Sequence, residues 1–406
     1  MRRLRLDVPL WLDRVPKARR PVFPRFRGDD RADVVIVGGG LTGCLVAALL
    51  AESRGSVILL EGDAIGQGST ARSLGLVSQD VGVPFTELRA SHGLRMARRT
   101  AERLRLSGRE LVSYLRRRTI RCDLRLTDGL LVAFAKEDVP ALVREHRARV
   151  DAGLDIVSLT GQRARREAGN EAQAVLKVKQ DAMLDPYRAC LGIAAHAGRK
   201  GAHLFDRSAV RGLKHDRGRT RVILADGRIE ADTVVVATGD AGGPYRQLRR
   251  HLRRVDRYTV ATPALAPALA REFGSRSALL DSATPPHRLC WTRDGRVLFQ
   301  GGDQAAVPQA RHERAVRQRT AQLMYELSLR YPAISGVPPE YGWSGRRVTG
   351  ADGLPFVGSH RNFPRHLFAL GLGGFGVGGA WLAARTLVRH VLGQPAAGDD
   401  DLGFGR

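Results

Sequence analysis

A glycine-rich turn between two apolar strands constrains this chain more than any other feature. The apolar strand at 34–37 leads directly into Gly38-Gly39-Gly40-Leu41-Thr42-Gly43, and an Ala- and Leu-rich helix follows. In such a unit Gly38 permits the tight turn, Gly40 lets the backbone approach a pyrophosphate, and Gly43 lets the helix pack closely on the strand. The pyrophosphate then lies at the helix N-terminus. The segment therefore predicts a dinucleotide-binding unit.

The acidic residues around this unit indicate which nucleotide it binds. Glu61 ends the second apolar strand about twenty residues after the turn, where its carboxylate can accept hydrogen bonds from ribose hydroxyls. Together with Asp33, which precedes the first strand without an obvious partner, it favours a free ribose over a 2′-phosphate. NADP is disfavoured, and NAD and FAD both remain compatible with these residues.

Composition restricts the class of protein. The chain has 406 residues, of which 43% are hydrophobic, so it can form a large core of two domains or one elaborate domain. It contains no apolar stretch long enough for a membrane helix and no signal peptide at Met1–Arg5, which predicts a cytoplasmic protein with no transmembrane segment. Its four cysteines are far apart, so neither a disulfide framework nor a metal site is expected.

The net charge of +25 would suit a nucleic acid or an acidic membrane as partner. The arginines, however, are spread along the chain instead of forming one patch. Between 95 and 121 they alternate with apolar residues at helical spacing, which places them on the outer face of an amphipathic helix. No specific nucleic-acid partner is therefore expected. The charge also favours an acidic substrate, although a compositional bias of the genome explains it equally well.

The pattern of apolar residues and turn signals predicts the remaining elements. An Asp185 cap before Pro186 begins a helix that extends to about residue 199, and the apolar run 233–237 predicts a buried strand inside a parallel sheet. The other predicted elements are helices at 86–118, 139–150, 316–327 and 380–391, strands at 129–135 and 297–300, and a hairpin around 225–227.

Four further segments match the pattern of one known family. They are 66–72 (Gly-Gln-Gly-Ser-Thr-Ala-Arg), 232–239, 294–302 and 343–358, the last ending in Asp-Gly-Leu-Pro-Phe-Val-Gly, followed by the glycine-rich stretch 371–379. With the glycine turn and Glu61, they cover nearly the whole chain. The chain resembles the FAD-dependent D-amino-acid oxidase superfamily, specifically its glycine oxidase, sarcosine oxidase and gamma-glutamylputrescine oxidoreductase branch.

The resemblance implies an α/β fold with a discontinuous Rossmann-type FAD-binding domain and an α+β substrate domain that contains an antiparallel sheet. The FAD-binding domain would comprise 25–85, 186–250 and 341–400, and the substrate domain 86–185 and 251–340. Residues 1–24 would form an N-terminal arm.

The resemblance also implies non-covalent FAD, because the cysteine that tethers flavin in the sarcosine oxidase branch has no counterpart before Asp352. The cofactor-binding residues that it implies are Gly38, Gly40, Leu41, Thr42, Gly43, Glu61, Gly62, Ser69, Thr70, Ala71, Arg72, Val210, Thr238, Gly239, Gly353, Gly373, Gly374, Phe375 and Gly376. The glycine loop before the last helix would direct backbone N–H groups at the flavin pyrimidine, where negative charge develops on reduction.

The implied reaction is oxidation of an amine or amino acid: hydride transfer to flavin gives an imine, which water hydrolyses, and O2 or another acceptor removes the electrons. The residues expected near the flavin face are Arg288, Tyr341 and Arg347, and Arg347 lies where related amino-acid oxidases have a carboxylate-binding arginine. A guanidinium fork suits that ligand, although a surface role for Arg347 is an alternative.

Three positions depart from the family pattern. Ser73 and Leu74 follow Arg72 where Asn-Gly is usual, and Leu372 replaces a histidine in the last glycine loop. These departures support an alternative hypothesis, in which the chain is a flavoprotein that has lost oxidase activity and binds an acidic partner.

Overall fold

The computed structural model describes residues 4–53, 55–216 and 218–406. Its α-helices, in chain order, are α1 (Leu10–Asp13), α2 (Leu41–Ala51), α3 (Ser69–Arg72), α4 (Phe85–Arg117), α5 (Val139–Asp151), α6 (Gly161–Ala168), α7 (Pro186–Arg199), α8 (Pro267–Arg271), α9 (Gln309–Arg330) and α10 (Gly376–Val391). Short 3₁₀ segments lie at Lys17–Arg19, Lys136–Asp138, Gly243–His251, Pro332–Ile334 and Asp399–Leu402. No helix within these ranges is both long and apolar enough to cross a bilayer.

The strands form two sheets. In chain order they are β1 (Arg5–Leu6), β2 (Gly28–Val37), β3 (Val57–Leu60), β4 (Leu76–Val77), β5 (Arg125–Ala133), β6 (Val157–Thr160), β7 (Ala174–Met183), β8 (His203–Phe205), β9 (Gly212–Asp216), β10 (Arg219–Ile223), β11 (Gly227–Gly239), β12 (Leu252–Ala261), β13 (Ala278–Asp281), β14 (Arg288–Trp291), β15 (Val297–Gln304), β16 (Tyr341–Gly350), β17 (Phe356–His360) and β18 (Phe363–Leu370).

The first sheet, called here the nucleotide sheet, has the order β17-β18-β11-β2-β3-β8, with the β9–β10 hairpin attached to β11. From β18 to β8 all neighbouring strands are parallel. The run Val234–Val236 lies fully buried between β18 and β2. A strand covered on both faces must be apolar throughout, so the predicted buried strand in a parallel sheet is confirmed.

The second sheet, called the substrate sheet, has the order β1-β16-β12-β15-β14-β13-β5-β7-β4, with β6 paired to β7. Most of its pairs are antiparallel. Helix α9 covers one face: a Cβ on Gly342 would lie 2.1 Å from Thr320 of α9. The opposite face lies toward the nucleotide unit, since a Cβ on Gly345 would lie 3.1 Å from Cβ of Arg72.

The predicted fold class is confirmed, because a parallel nucleotide sheet is combined with a mainly antiparallel second sheet. The domain boundary predicted at residue 341 stays a prediction. Strand β16 pairs with β12 over its whole length, from Tyr341 opposite Ala261 to Gly350 opposite Leu252, and so belongs to the substrate sheet. Residues 343–350 of the family motif at 343–358 therefore lie in a strand that continues the antiparallel ladder of the substrate sheet. The arm predicted at 1–24 includes residues 1–3, which lie outside the described residues.

Gly43 provides the most direct test of this architecture. A Cβ there would lie 1.9 Å from the carbonyl oxygen of Gly38, so we expect Gly43→Ala to lower the free energy of unfolding by about 2 kcal/mol or more. Gly198→Ala is the matched control. A Cβ at this position would meet only Leu204 Cδ1, at 3.7 Å, and alanine has a higher helix propensity than glycine within α7. Chemical denaturation of both variants measures the difference, and equal stabilities would contradict the close packing.

Candidate active site

The glycine turn brings strand β2, helix α2 and strand β11 into close contact. Gly38 has a φ of 110°. A Cβ on it would lie 2.8 Å from the carbonyl oxygen of Ala237. A Cβ on Gly40 would meet only Thr70 Oγ1, at an ordinary van der Waals distance of 3.4 Å, and Gly40 lines a cleft. The backbone at Gly40 is therefore accessible to a ligand, whereas Gly38 and Gly43 are required by protein packing.

Two side chains orient the N–H groups at this turn. Leu41 N–H donates to Thr70 Oγ1 at 3.0 Å, and Gly39 N–H donates to Glu61 Oε2 at 2.7 Å. The other carboxylate oxygen of Glu61 accepts from Asp63 N–H at 2.9 Å. Each carboxylate oxygen can accept more than one hydrogen bond, so Glu61 retains acceptor capacity for a ribose. The remaining N–H groups of the first turn of α2 lack intrahelical partners and form an anion site.

The expectation that Asp33 has no partner is wrong. Its Oδ2 accepts from Ser56 N–H at 2.8 Å, and Ser56 Oγ accepts from Asp33 N–H at 2.9 Å. Asp33 therefore joins the middle of β2 to the residue before β3, and the preference for a free ribose depends on Glu61 alone.

A cleft of about 670 Å³ begins at the glycine turn and extends to the substrate sheet. This volume lies within the range of small-molecule and cofactor sites. Among its lining residues are most of those predicted to bind cofactor, namely Gly38, Gly40, Leu41, Thr42, Glu61, Gly62, Ser69, Thr70, Arg72, Val210, Thr238, Gly239, Gly373, Gly374 and Gly376, together with Arg288 and Arg347 from the substrate sheet.

Four predicted cofactor residues do not line the cleft. Gly43 lies beneath the glycine turn, and Ala71 and Phe375 are fully buried in the core. Gly353 lies near Val83, and its φ of 87° allows the turn between β16 and β17. These four residues support the loops that line the cleft. The family motifs therefore include residues that serve packing as well as residues that can contact a ligand.

Tyr341 also lies away from the cleft. It is on the same face of β16 as Arg347 but six residues away, a separation of about 20 Å along a strand. Its hydroxyl donates to Asp13 Oδ2 at 2.8 Å, and Arg5 Nη1 donates to the hydroxyl at 3.4 Å. Burial raises the pKa of Tyr341 to about 12. The geometry places Tyr341 in the contact with the N-terminal arm and gives it no access to the cleft.

Strand register brings three arginines to one face of the substrate sheet. Arg288 on β14 lies opposite Gln300 on β15. Gln300 lies opposite Thr259 on β12, and Thr259 lies opposite Trp343 on β16. Arg257 and Arg347 are at even spacings from Thr259 and Trp343, so they point to the same face. All three line the cleft and are called here the arginine cluster, which comprises Arg257, Arg288 and Arg347.

Among the described residues, Arg257 is the one member of the arginine cluster that forms an ion pair with a carboxylate. Arg257 binds Asp303 through two hydrogen bonds of 2.5 and 2.6 Å. Arg347 Nε donates to the carbonyl oxygen of Gly373 at 3.3 Å, next to the glycine loop. Burial and the charges of Arg257 and Arg288 lower the pKa of Arg347. A bound anion would relieve this repulsion.

Sequence reasoning missed several residues that line the cleft. Arg257 and Gln300 reach it only because of strand register, which no local signal reveals. The 240–245 segment follows β11 of the parallel nucleotide sheet, and that position was the available signal, whereas Asp80 follows β4 of the mainly antiparallel substrate sheet and had no such signal. In parallel sheets, ligands bind beyond the carboxyl ends of the strands.

The turn after α3 is held by two tryptophans. Trp343 Nε1 donates to the carbonyl oxygen of Arg72 at 3.2 Å, and Trp11 Nε1 donates to that of Ser73 at 2.8 Å. Arg72 Nη1 in turn donates to Asp7 Oδ1 at 2.9 Å. Arg72 and Ser73 line the cleft, so the N-terminal arm positions a wall of the site without entering it.

Trp11 offers a test of this positioning. Trp11→Phe keeps an aromatic ring in the core but removes the donor to Ser73, and we expect FAD to bind about fivefold more weakly, as the loss of one hydrogen bond predicts. Trp381→Phe is the control, since its indole donates instead to Glu110 Oε2 at 2.8 Å. Fluorescence titration of apoprotein with FAD measures both, and equal dissociation constants for Trp11→Phe and wild type would refute the role.

Asp181 is a buried acid beside the arginine cluster. Its Oδ1 accepts from Gln79 N–H at 3.1 Å, and a Cβ on Gly129 would lie 2.5 Å from its Oδ2. Burial raises the pKa of Asp181 to about 7, despite the hydrogen bond from Gln79 and the charge of Arg288, which lower it. The acid is therefore largely protonated below neutral pH.

The raised pKa makes stability depend on pH. The unfolded state loses the Asp181 proton near pH 3.9, whereas the folded state keeps it to about pH 7, so stability falls between these values by at most about 1.4 kcal/mol per pH unit. Asp181→Asn is isosteric and removes this titration. Denaturation curves in saturating FAD from pH 4.5 to 8 should show wild type losing stability relative to the variant up to about pH 7. Parallel pH profiles would contradict the raised pKa.

Comparisons with known proteins agree with the geometry. The FAD dependent oxidoreductase (DAO) family matches residues 33–390. Gamma-glutamylputrescine oxidoreductase of Escherichia coli (strain K12) is 26% identical over 371 residues, which cover 89% of this chain and 84% of that protein. Glycine oxidase of Bacillus licheniformis is 24% identical over 376 residues, covering 90% and 94%.

Solved structures show the same fold. Glycine oxidase from Geobacillus kaustophilus superposes with a TM-score of 0.74 at 20% identity, covering 91% of this chain and 96% of that one. L-Amino acid deaminase from Proteus myxofaciens superposes with a TM-score of 0.77 at 14% identity, covering 100% and 99%. Because the family match includes most of the residues, this chain belongs to the FAD dependent oxidoreductase (DAO) family, and it is an oxidoreductase with FAD as its cofactor.

Proposed function

We propose that this protein oxidises an amine or amino acid that bears a carboxylate. The observation that supports this most directly is that Arg347 and Arg288 line the same cleft as the glycine turn, at its substrate-sheet end. Two relatives are named for reactions of amino compounds, gamma-glutamylputrescine and glycine. The alternative of a binding protein without activity has no comparable support.

The residues of the cleft suit FAD along its whole length. Glu61 would accept from the adenosine ribose, and the N–H groups at Gly40–Thr42 would bind the pyrophosphate. At the other end, a Cβ on Gly373 would lie 2.5 Å from the Val348 carbonyl oxygen, so this loop requires glycine to approach β16. The N-terminus of α10 follows directly, and its N–H groups would face the flavin pyrimidine.

When bound, FAD supplies the electron acceptor for the hydride from the carbon next to the amine. The role of the protein is then to bind the substrate and to control its charge. Arg347 would hold the carboxylate with a guanidinium fork. The positive charges of the arginine cluster would also disfavour a protonated substrate amine, and the neutral amine is the form whose lone pair stabilises the developing imine.

The cofactor is proposed to be non-covalent, because none of the four cysteines lines the cleft. The final electron acceptor is O2 or another carrier. A visible spectrum of the purified protein, followed by a spectrum of the supernatant after acid precipitation, tests the first point. Mixing the reduced protein with air-saturated buffer, and separately with a quinone, tests the second.

The amine chemistry itself is tested by anaerobic mixing with a panel of amines and amino acids. Bleaching of the flavin absorbance by an amino compound supports the proposal. If the protein binds FAD and no amino compound bleaches it, while dithionite does, the proposed reaction is wrong.

Arg347 provides the residue-level test. Arg347→Met should raise the KM or Kd for carboxylate-bearing substrates about ten- to a hundredfold, since a charge-assisted pair is lost, and should leave amines without a carboxylate little affected. Arg253→Met is the charge-matched control: Arg253 is exposed on β12 and lies outside the cleft lining. Rapid-mixing measurements of flavin reduction give both values. Equal loss for substrates with and without a carboxylate would contradict the assigned contact.

A further inference from the structure

Arg288 is a second cationic group in the cleft that binding of one carboxylate does not explain. It lies at the start of β14 on the cleft side, and burial lowers its pKa. Within the described parts of the chain, no carboxylate forms an ion pair with it, although the charge of Asp80 acts on it from further away. An enclosed guanidinium without a paired anion is costly, because its charge is poorly solvated there.

Three acidic groups lie near Arg288 or Arg347, and among the described residues none of them forms an ion pair with Arg288. Asp303 is bound by Arg257 through two hydrogen bonds. Asp80 Oδ1 lies 3.9 Å from Arg149 Nη2. Asp181, the remaining acid, has a raised pKa. Two positive charges of the arginine cluster, those of Arg288 and Arg347, are thus left facing the cleft without a directly bound carboxylate.

The neighbouring strand of the sheet adds a neutral polar group. Gln300 lies directly opposite Arg288 and lines the cleft with it. Its Nε2 donates to Thr259 Oγ1 at 3.0 Å, which fixes the amide and leaves its carbonyl oxygen available as an acceptor. Arg288 and Gln300 therefore form a polar end to the cleft, distinct from the glycine loop contacted by Arg347.

We propose that the substrate of this enzyme is an amine with two anionic groups, an amino dicarboxylate, of which Arg347 binds one carboxylate and Arg288 the other. This inference rests on the proposed amine oxidation and specifies its substrate class. The two arginines lie on the same face of the sheet, on strands separated by β12 and β15, so they can contact a ligand at two separate points. A ligand with carboxylates at both ends of a short chain matches that arrangement, and a monocarboxylate would leave one guanidinium unpaired.

Binding is tested without turnover, using the FAD-loaded protein and ligands that contain no amine. Straight-chain dicarboxylates from malonate to adipate, and monocarboxylates of matching length, are titrated while the flavin absorbance spectrum is recorded. We expect at least one dicarboxylate to bind about tenfold or more tightly than its monocarboxylate match, as a second charge-assisted contact predicts. Equal affinities across the matched pairs would overturn the proposal.

Variants then assign the contacts. Arg288→Gln should abolish the preference for the dicarboxylate and leave the Kd of the monocarboxylate within about threefold of wild type, whereas Arg347→Gln should weaken both ligands. Arg253→Gln, an exposed position on β12, controls for net charge. If Arg288→Gln alters the flavin reduction potential but leaves the preference intact, Arg288 serves the cofactor and the proposal is wrong.

Anaerobic flavin reduction by matched amino acids separates this inference from the proposed function. If amino dicarboxylates reduce the flavin with a higher kcat/KM than monocarboxylic amino acids of the same length, this result supports both the amine oxidation and the dicarboxylate substrate class. If monocarboxylic amino acids reduce the flavin equally well or better, the substrate class is wrong and the amine chemistry remains. If no amino compound reduces the flavin, the amine chemistry fails even where dicarboxylates bind selectively.

Discussion

The close approach of α2 to the end of β2 is the contact on which the rest of the site depends. It brings the first turn of α2 over the carbonyl of Gly38, and a single methyl group there would separate them. Because α2 also packs against α7 and α10, its position fixes both the glycine turn at one end of the cleft and the glycine loop at the other. A dense apolar core formed by these three helices holds that arrangement rigid.

The arginine cluster illustrates how charge in this chain differs between surface and cleft. Most arginines lie at the surface, where solvent screens them and their ion pairs contribute little. The three cluster residues face the cleft, where they are partly shielded from solvent and the same charges interact more strongly with one another and with an anion. The net charge of +25 therefore says less about ligands than the location of these few side chains does.

How far the sequence predicts this protein depends on the range of the interactions involved. The glycine turn, the buried strand at 233–237 and the Asp185 cap, which accepts from Arg188 N–H, depend on neighbours in sequence and were correctly predicted. The family motif places Tyr341 near the flavin and a domain boundary at 341, whereas strand pairing places β16 in the substrate sheet and Tyr341 beside the arm. Arg257 was missed for the same reason: which strand lies beside β16, and in what register, depends on residues far apart in the chain.

The N-terminal arm has a consequence for how the molecule is made. Strand β1 pairs with the start of β16, Arg5 opposite Tyr341, so these partners are separated by almost the whole chain. The arm is synthesised long before β16, and its strand has no partner until β16 has been synthesised. Until then the polypeptide must keep Leu10 and Trp11, which are buried in the finished protein, from premature association. The β1–β16 pairing therefore forms late in translation or after it, once β16 has been synthesised.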